Sequence, residues 1–275
     1  MRMDPEKGTF GGLSTSFQAE LEPQYADLLL FACCLISGLM DSTIYSAYNT
    51  FVSMQTGMII PLSISILSQS RALQLMYRFL GNTIFVGLGA SSQNLRPYGW
   101  ARSLTSIGSF ILGSFLFAQL HRFLGARRRG SLMLSFTLQA CLILLTAGLV
   151  QGGAISSTLD GKLSTKVPPW DQEVPIVLLS LQSAGQIVAS RALGFNEIPT
   201  VVITSLLCDL MSDPKLFLLR NEKRDRRVIA FVLTLVGAIV GGWVTKATRA
   251  ISPILWLSAG IKALLVLAWG FWKAK

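Results

Sequence analysis

The sequence predicts an all-α polytopic integral membrane protein with about six full transmembrane helices and two short re-entrant or half-length helices, arranged as two internal repeats. Three observations carry this expectation. Charged residues form only 14% of the 275-residue chain against 51% hydrophobic, whereas a soluble domain needs roughly 25% charge to cover its surface. The apolar residues fall in blocks at 26–48, 104–120, 131–150, 174–193, 228–244 and 254–272, each about 17–23 residues, the length that crosses a ~30 Å hydrocarbon core. The polar and glycine marks of the first half also recur, in the same order, in the second.

Helix is the expected state of each block, because lipid offers no partner to a backbone N–H or C=O and each segment must satisfy its own. The first block carries Ser37, Gly38 and Asp41, echoed by Ser183, Gly185 and Gln186 in the fourth. A short apolar piece follows in each half. In the first it begins at Met54-Gln55-Thr56-Gly57 and resumes at Asn82-Thr83; in the second it runs from Pro199 to Leu210. Lengths of about 10–14 residues fit re-entrant or interfacial pieces better than spans. A glycine-bearing block comes next, with Gly108 and Gly113 in one half and Gly237, Gly241 and Gly242 in the other. Small residues of this kind let helices approach closely in lipid. The last blocks align Gln139 with Lys262.

The resulting organisation is a polar tail at 1–25, a first membrane repeat at 26–153, an extramembrane loop at 154–173 and a second repeat at 174–272. The tail lacks the n-region and cleavage site of a removable signal peptide. Six spans with two re-entrant pieces would make the halves inverted, and eight spans would make them parallel. The Lys and Arg count does not separate the two, but the cluster Arg122, Arg127, Arg128 and Arg129 lies inside only in the six-span arrangement. Both termini and the basic stretch 212–227 are then expected in the cytoplasm. The net charge of +10 is a loop charge that meets lipid headgroups, and no nucleic-acid partner is expected.

Several of these residues also form motifs. Gly38-Leu39-Met40-Asp41, Ser53-Met54-Gln55-Thr56-Gly57 joined to Asn82-Thr83, Gly185-Gln186-Ile187-Val188-Ala189-Ser190-Arg191, Glu197-Ile198-Pro199-Thr200-Val201-Val202 and Cys208-Asp209-Leu210-Met211-Ser212-Asp213-Pro214-Lys215-Leu216 resemble fungal members of the YoaK-like family, domain of unknown function 1275. The resemblance covers about 27–272. It implies a membrane protein with no established substrate, and it supplies no catalytic residue to carry over. In the family pattern Gly57 would be followed directly by Asn82. Here 58–81 intervenes, 24 residues with no counterpart in the other half. Codons for Gly57-Met58 and for Leu80-Gly81 can hold splice donor and acceptor signals, so a retained intron is the expectation, with a genuine insertion as the alternative.

The candidate site residues are the polar groups of the spans and of the short-piece entrances. A central Asp, Lys or Arg costs ~2.5–3.5 kcal/mol on insertion scales and by default marks a pathway or a pair. Asp41, Lys262, Gln139 and Gln186 are therefore expected to face the bundle interior, with Asp41 and Lys262 paired near the midplane. Thr56, Gly57 and Asn82 in one half, and Thr200 and Thr204 in the other, would sit where a half-helix N-terminus offers free N–H donors and a positive dipole end to a small polar or anionic solute. Cys33, Cys34, Cys141 and Cys208 read as packing residues, Arg191, Glu197 and His121 as interfacial, and Asp209 and Asp213 as ends of the second short piece. No metal-ligand spacing, nucleotide fingerprint, Walker motif or nucleophile elbow occurs, so no cofactor, metal or enzyme activity is expected. The functional expectation is a small-solute transporter or channel-like protein with its site between the repeats; the alternative is a non-transporting scaffold or signalling protein. A polar cavity reaching the four interior residues would favour the first, and dry packing around them the second.

Overall fold

The computed structural model describes residues 18–21, 25–48, 50–54, 99–155, 170–218 and 220–272. Among these, seven α-helices follow one another: α1 Ala26–Tyr48, α2 Gly99–Leu124, α3 Arg129–Gln151, α4 Glu173–Leu193, α5 Ile203–Met211, α6 Glu222–Thr248 and α7 Ser252–Phe271. All but α5 are long and apolar enough to cross a membrane, so the protein is a polytopic helical membrane protein. The helices begin and end where local chemistry directs. Asn221 Oδ1 accepts the Arg224 N–H at 3.2 Å to open α6. Pro253 stands in the first turn of α7, where its missing N–H is no loss. Gly194, at φ 90°, closes α4 by returning its N–H to the chain.

Contacts between helix ends settle which ends share a face of the bundle. At the near face, the strand-like residues before α1 bond to the start of α3, through Leu21 N–H to Arg127 O at 3.0 Å and Arg129 N–H to Ala19 O at 3.1 Å. Arg129 also reaches Trp272 O beyond α7, Arg226 of α6 pairs with Asp27 of α1 at 3.1 Å, and its guanidinium lies 5.1 Å from the Phe195 ring just past α4. At the far face, Arg102 near the start of α2 donates to Tyr48 O at 3.0 Å and to Gln172 before α4. Trp256 of α7 bonds Gln151 of α3 there, and Thr245 of α6 bonds Thr43 of α1 at 3.1 Å. The six long helices thus alternate direction, and the chain leaves at Tyr48 and returns at Gly99 on one face. Among the described residues this matches the six-span arrangement; the eight-span alternative would put the starts of α1 and α3 on opposite faces.

α5 makes no crossing. The Cys34 thiol, eight residues and ~12 Å along α1 from its start, lies close to the Thr200 backbone and the Thr234 side chain. The chain therefore descends from the near face to Thr200, well inside the bundle. The nine residues of α5, ~13 Å of helix, then carry it back out to Asp213, which pairs with Arg227 at 3.4 Å. Residues 199–211 form a re-entrant piece, as their length predicts.

The helices pack in three main pairs, α1 with α6, α2 with α4 and α3 with α7, and α3 also lies along α4. Glycines set the closest of these approaches. A Cβ on Gly38 would fall 2.1 Å from Thr234 O, and one on Gly237 2.3 Å from Leu35 O, so α1 and α6 touch backbone to backbone as the small-residue rule expects. Gly241 and Gly113 are similarly confined. Gly108 and Gly242 have open space where a Cβ would stand, so the expectation of close packing fails for these two: they face away from the contact line that their neighbours Gly113 and Gly241 occupy.

Candidate functional site

The long apolar helices place a few polar side chains where no water can reach them. Lys262 stands at the middle of α7 and is 0% exposed. Its ammonium donates to Gln139 Oε1 of α3 at 2.6 Å and Gln186 Oε1 of α4 at 2.8 Å, and lies 3.7 Å from Cys33 Sγ of α1. The Phe136 ring sits 4.9 Å away as a cation–π partner. An ammonium has three donors and no acceptor, so both amides turn their oxygens to it. Their nitrogens then donate outward, Gln139 to Ser135 Oγ at 3.2 Å and Gln186 to Cys33 O at 2.9 Å and Ser37 Oγ at 2.8 Å. Gln182 adds a further bond to Gln186 Oε1 at 3.1 Å. Four helices are tied together at one level, and no carboxylate faces the ammonium among the described residues.

Asp41 does not pair with Lys262, contrary to the sequence expectation. Its Oδ1 accepts the N–H groups of Val52 and Ser53 at 3.1 and 3.0 Å, and its Oδ2 accepts the Ser53 hydroxyl. The reason is geometric. Asp41 lies eight residues beyond Cys33, so ~12 Å separate it along α1 from the level at which Lys262 sits. At its own level the chain just past α1 presents the backbone N–H groups of Val52 and Ser53, and a carboxylate accepts both without a second buried charge. Asp41 thus positions the segment 50–54 that leads toward Thr56.

Thr200 lies at the inner end of the re-entrant piece. It is 4% exposed, its Oγ1 has no hydrogen-bond partner, and its φ is 54°, a left-handed value that a β-branched residue rarely adopts. No side chain caps α5, whose cap residue is Val202, so its first N–H groups remain available. Thr204, on the first turn of α5, is exposed and does not join this enclosure. Thr56, Gly57, Asn82 and the segment 58–81 lie outside the described residues.

The interior residues expected from sequence therefore resolve into two layers. Gln139, Gln186 and Lys262 form one, and Thr200 adjoins it through Cys34, the neighbour of Cys33. Asp41 forms the other. All four interior polar residues are sealed, at 3% exposure or less. Sequence reasoning missed Cys33 and Ser37, whose small polar atoms pass for packing in an apolar run, and Gln182, one turn before Gln186. It also missed Arg102, which lies outside the predicted span at 104–120 yet is buried, bonded to Tyr48 and Gln172 and 4.0 Å from Glu173. Cys141 and Cys208 are exposed and carry no polar contact in the site.

The sequence model of a family described as a protein of unknown function (DUF1275) matches residues 29–80 and 81–268. No curated protein matches the chain, and no solved structure does.

Proposed function

We propose that this chain, which belongs to the DUF1275 family, is a small-solute transporter or channel-like protein whose site lies at the inner end of α5. The observation that carries the proposal is the re-entrant half-helix itself. Its uncapped N-terminus begins inside the bundle beside the buried, unpartnered Thr200 hydroxyl. Free N–H donors and the positive dipole end at that depth suit a small polar or anionic solute. Lys262 adds a positive charge at the adjoining level of α1. A pure packing role would be filled more cheaply by an apolar side chain, since a buried ion is costly even when hydrogen-bonded.

The packing supports two inverted repeats around this site. Exchanging the halves exchanges α1 with α4, α2 with α6 and α3 with α7, and it leaves the principal pairs α1–α6, α2–α4 and α3–α7 unchanged. Burial follows the same exchange: the buried share of each span is 67% and 61% for α1 and α4, 22% and 28% for α2 and α6, and 39% for both α3 and α7. Gln139 and Lys262, at matching places in the halves, meet at 2.6 Å, as equivalent positions beside a two-fold axis would. The basic belt of the near face, from Arg122 to Arg129 and from Lys215 to Arg227, favours a cytoplasmic near face and so cytoplasmic termini. We also propose that 58–81 comes from a retained intron. The segment has no counterpart in the other half, although the family match over 29–80 includes 58–80. Transcript sequencing tests this, and a dominant cDNA that encodes 58–81 would refute it.

A second reading has one observation in its favour. The donors of Lys262 are all taken by the protein and the layer is sealed, which is how a scaffold would hold its helices. On the transport reading this closure is an occluded state. Uptake of radiolabelled small carboxylates and amino acids into proteoliposomes separates the two, with Thr200→Val and Lys262→Met as variants. Transport predicts accumulation above empty vesicles and a loss of at least about tenfold in both variants, the scale of one buried polar contact. A scaffold predicts no accumulation in the wild type, with Lys262→Met changing thermal stability alone.

A further inference from the structure

A groove of about 750 Å³ opens between the near-face halves of α2 and α4. It is within the ~300–1,000 Å³ range of small-molecule sites, and it is independent of the layers described above. Its inner wall is apolar, formed by Phe110, Ala118, Ile187 and Val188, and its mouth carries Arg122 and Arg191. From Phe110 to Arg122 is twelve residues of α2, ~18 Å along the axis, slightly more than half of a ~30 Å hydrocarbon core. The groove therefore runs from the near face to about mid-bilayer, the depth of one leaflet.

Both arginines are exposed, and neither has an acidic partner among the described residues. No carboxylate lines the groove. His121, also in its wall, is 4% exposed, with Nδ1 engaged by Ser131 Oγ at 3.0 Å and Nε2 without a hydrogen-bond partner. A second copy of the chain is a poor occupant, because a two-fold contact would set this same basic mouth against itself. A lipid with one negative headgroup meets every requirement: its phosphate lies between two guanidiniums and its acyl chain fills the apolar wall. Basic pockets between transmembrane helices bind anionic headgroups in this way, and guanidinium forks suit a phosphate.

We propose that the groove between α2 and α4 is a binding site for a single anionic phospholipid, with Arg122 and Arg191 on the headgroup and the Phe110–Ala118 wall along an acyl chain. The test is native mass spectrometry of the purified full chain in detergent with added phosphatidylglycerol or phosphatidylcholine. Phosphatidylglycerol should be retained in preference, as one tightly held molecule. Arg122→Gln with Arg191→Gln should lower its retention by roughly twentyfold or more, at about fivefold per arginine. Arg220→Gln, an exposed near-face arginine outside the groove, should leave retention unchanged. Ala118→Phe keeps both arginines and narrows the acyl wall, so it should lower retention even if the double variant fails to fold. Equal retention of the two lipids, an equal loss in Arg220→Gln, or unchanged retention in Ala118→Phe would overturn the assignment. So would displacement of the lipid by inorganic phosphate at the same concentration, because that would make the site one for a free anion.

Discussion

Asp41 and Lys262 are both charged by type, both at the heart of the bundle and only ~12 Å apart in depth, yet each is accommodated without the other. Asp41 is met mainly by backbone: two N–H groups, joined by the Ser53 side-chain hydroxyl, from the segment just past α1. Lys262 is met by side chains: two amide oxygens, a sulfur and an aromatic face. The carboxylate belongs to a turn, and the ammonium belongs to a junction of four helices. Burying an ion requires hydrogen-bond partners, and an opposite charge is only one way to supply them. A carboxylate, with acceptors only, is drawn to loose backbone donors. An ammonium, with donors only, is drawn to carbonyl oxygens.

Removing Asp41 should break this contrast most severely. Asp41→Ala takes the acceptor from two buried N–H groups, at about 1–3 kcal/mol each, so a loss of about 3 kcal/mol or more is expected in thermal or denaturant unfolding in detergent. Asp41→Asn keeps an oxygen for both and should cost only about 1 kcal/mol. Equal losses in the two variants would show that the negative charge, and not the capping, is what matters. Lys262 should respond differently, because its partners are side chains that can be removed with it. Lys262→Met alone leaves the Gln139 oxygen without its donor and should cost about 1–2 kcal/mol. Adding Gln139→Leu should bring stability back to within about 1 kcal/mol of the wild type or above it, as replacing a buried polar set by apolar groups commonly does. A double variant weaker than the sum of the singles would sink that account.

The smallest effect is expected at the near face, where a carboxylate combines both modes. Asp213 accepts the Lys215 N–H at 2.9 Å and an Asn221 amide hydrogen at 3.0 Å, with Arg227 beyond. The Lys215 backbone bond, then Asn221, hold its carboxyl below the ordinary carboxylate range. A depressed folded value means that the contribution to stability is full above the unfolded value and disappears as pH falls through the folded one. Hydrogen exchange at the Lys215 amide should therefore stay protected as pH drops through the usual Asp range and accelerate only below it. Protection lost already within that range would contradict the sign of the effect.

The spans were legible because hydropathy needs no partner information: a block at 26–48 can hardly be anything but α1. Their ends were less so. α6 begins at Glu222, before its apolar block at 228, because Asn221 caps a charged first turn that hydropathy counts as loop. Gln139, Gln186 and Lys262 stood out as polar letters in apolar text. Asp41 stood out equally, but two of its three partners are main-chain groups of Val52 and Ser53, which sequence does not display. Cys33 was hidden for the opposite reason, since a thiol beside three hydrophobes reads as packing until an ammonium is placed against it.

The contact between Arg102 and Tyr48 O has a consequence for parity. The end of α1 and the start of α2 are thereby held on one side of the bundle, so the direction of α1 fixes the direction of each long helix from α2 to α7.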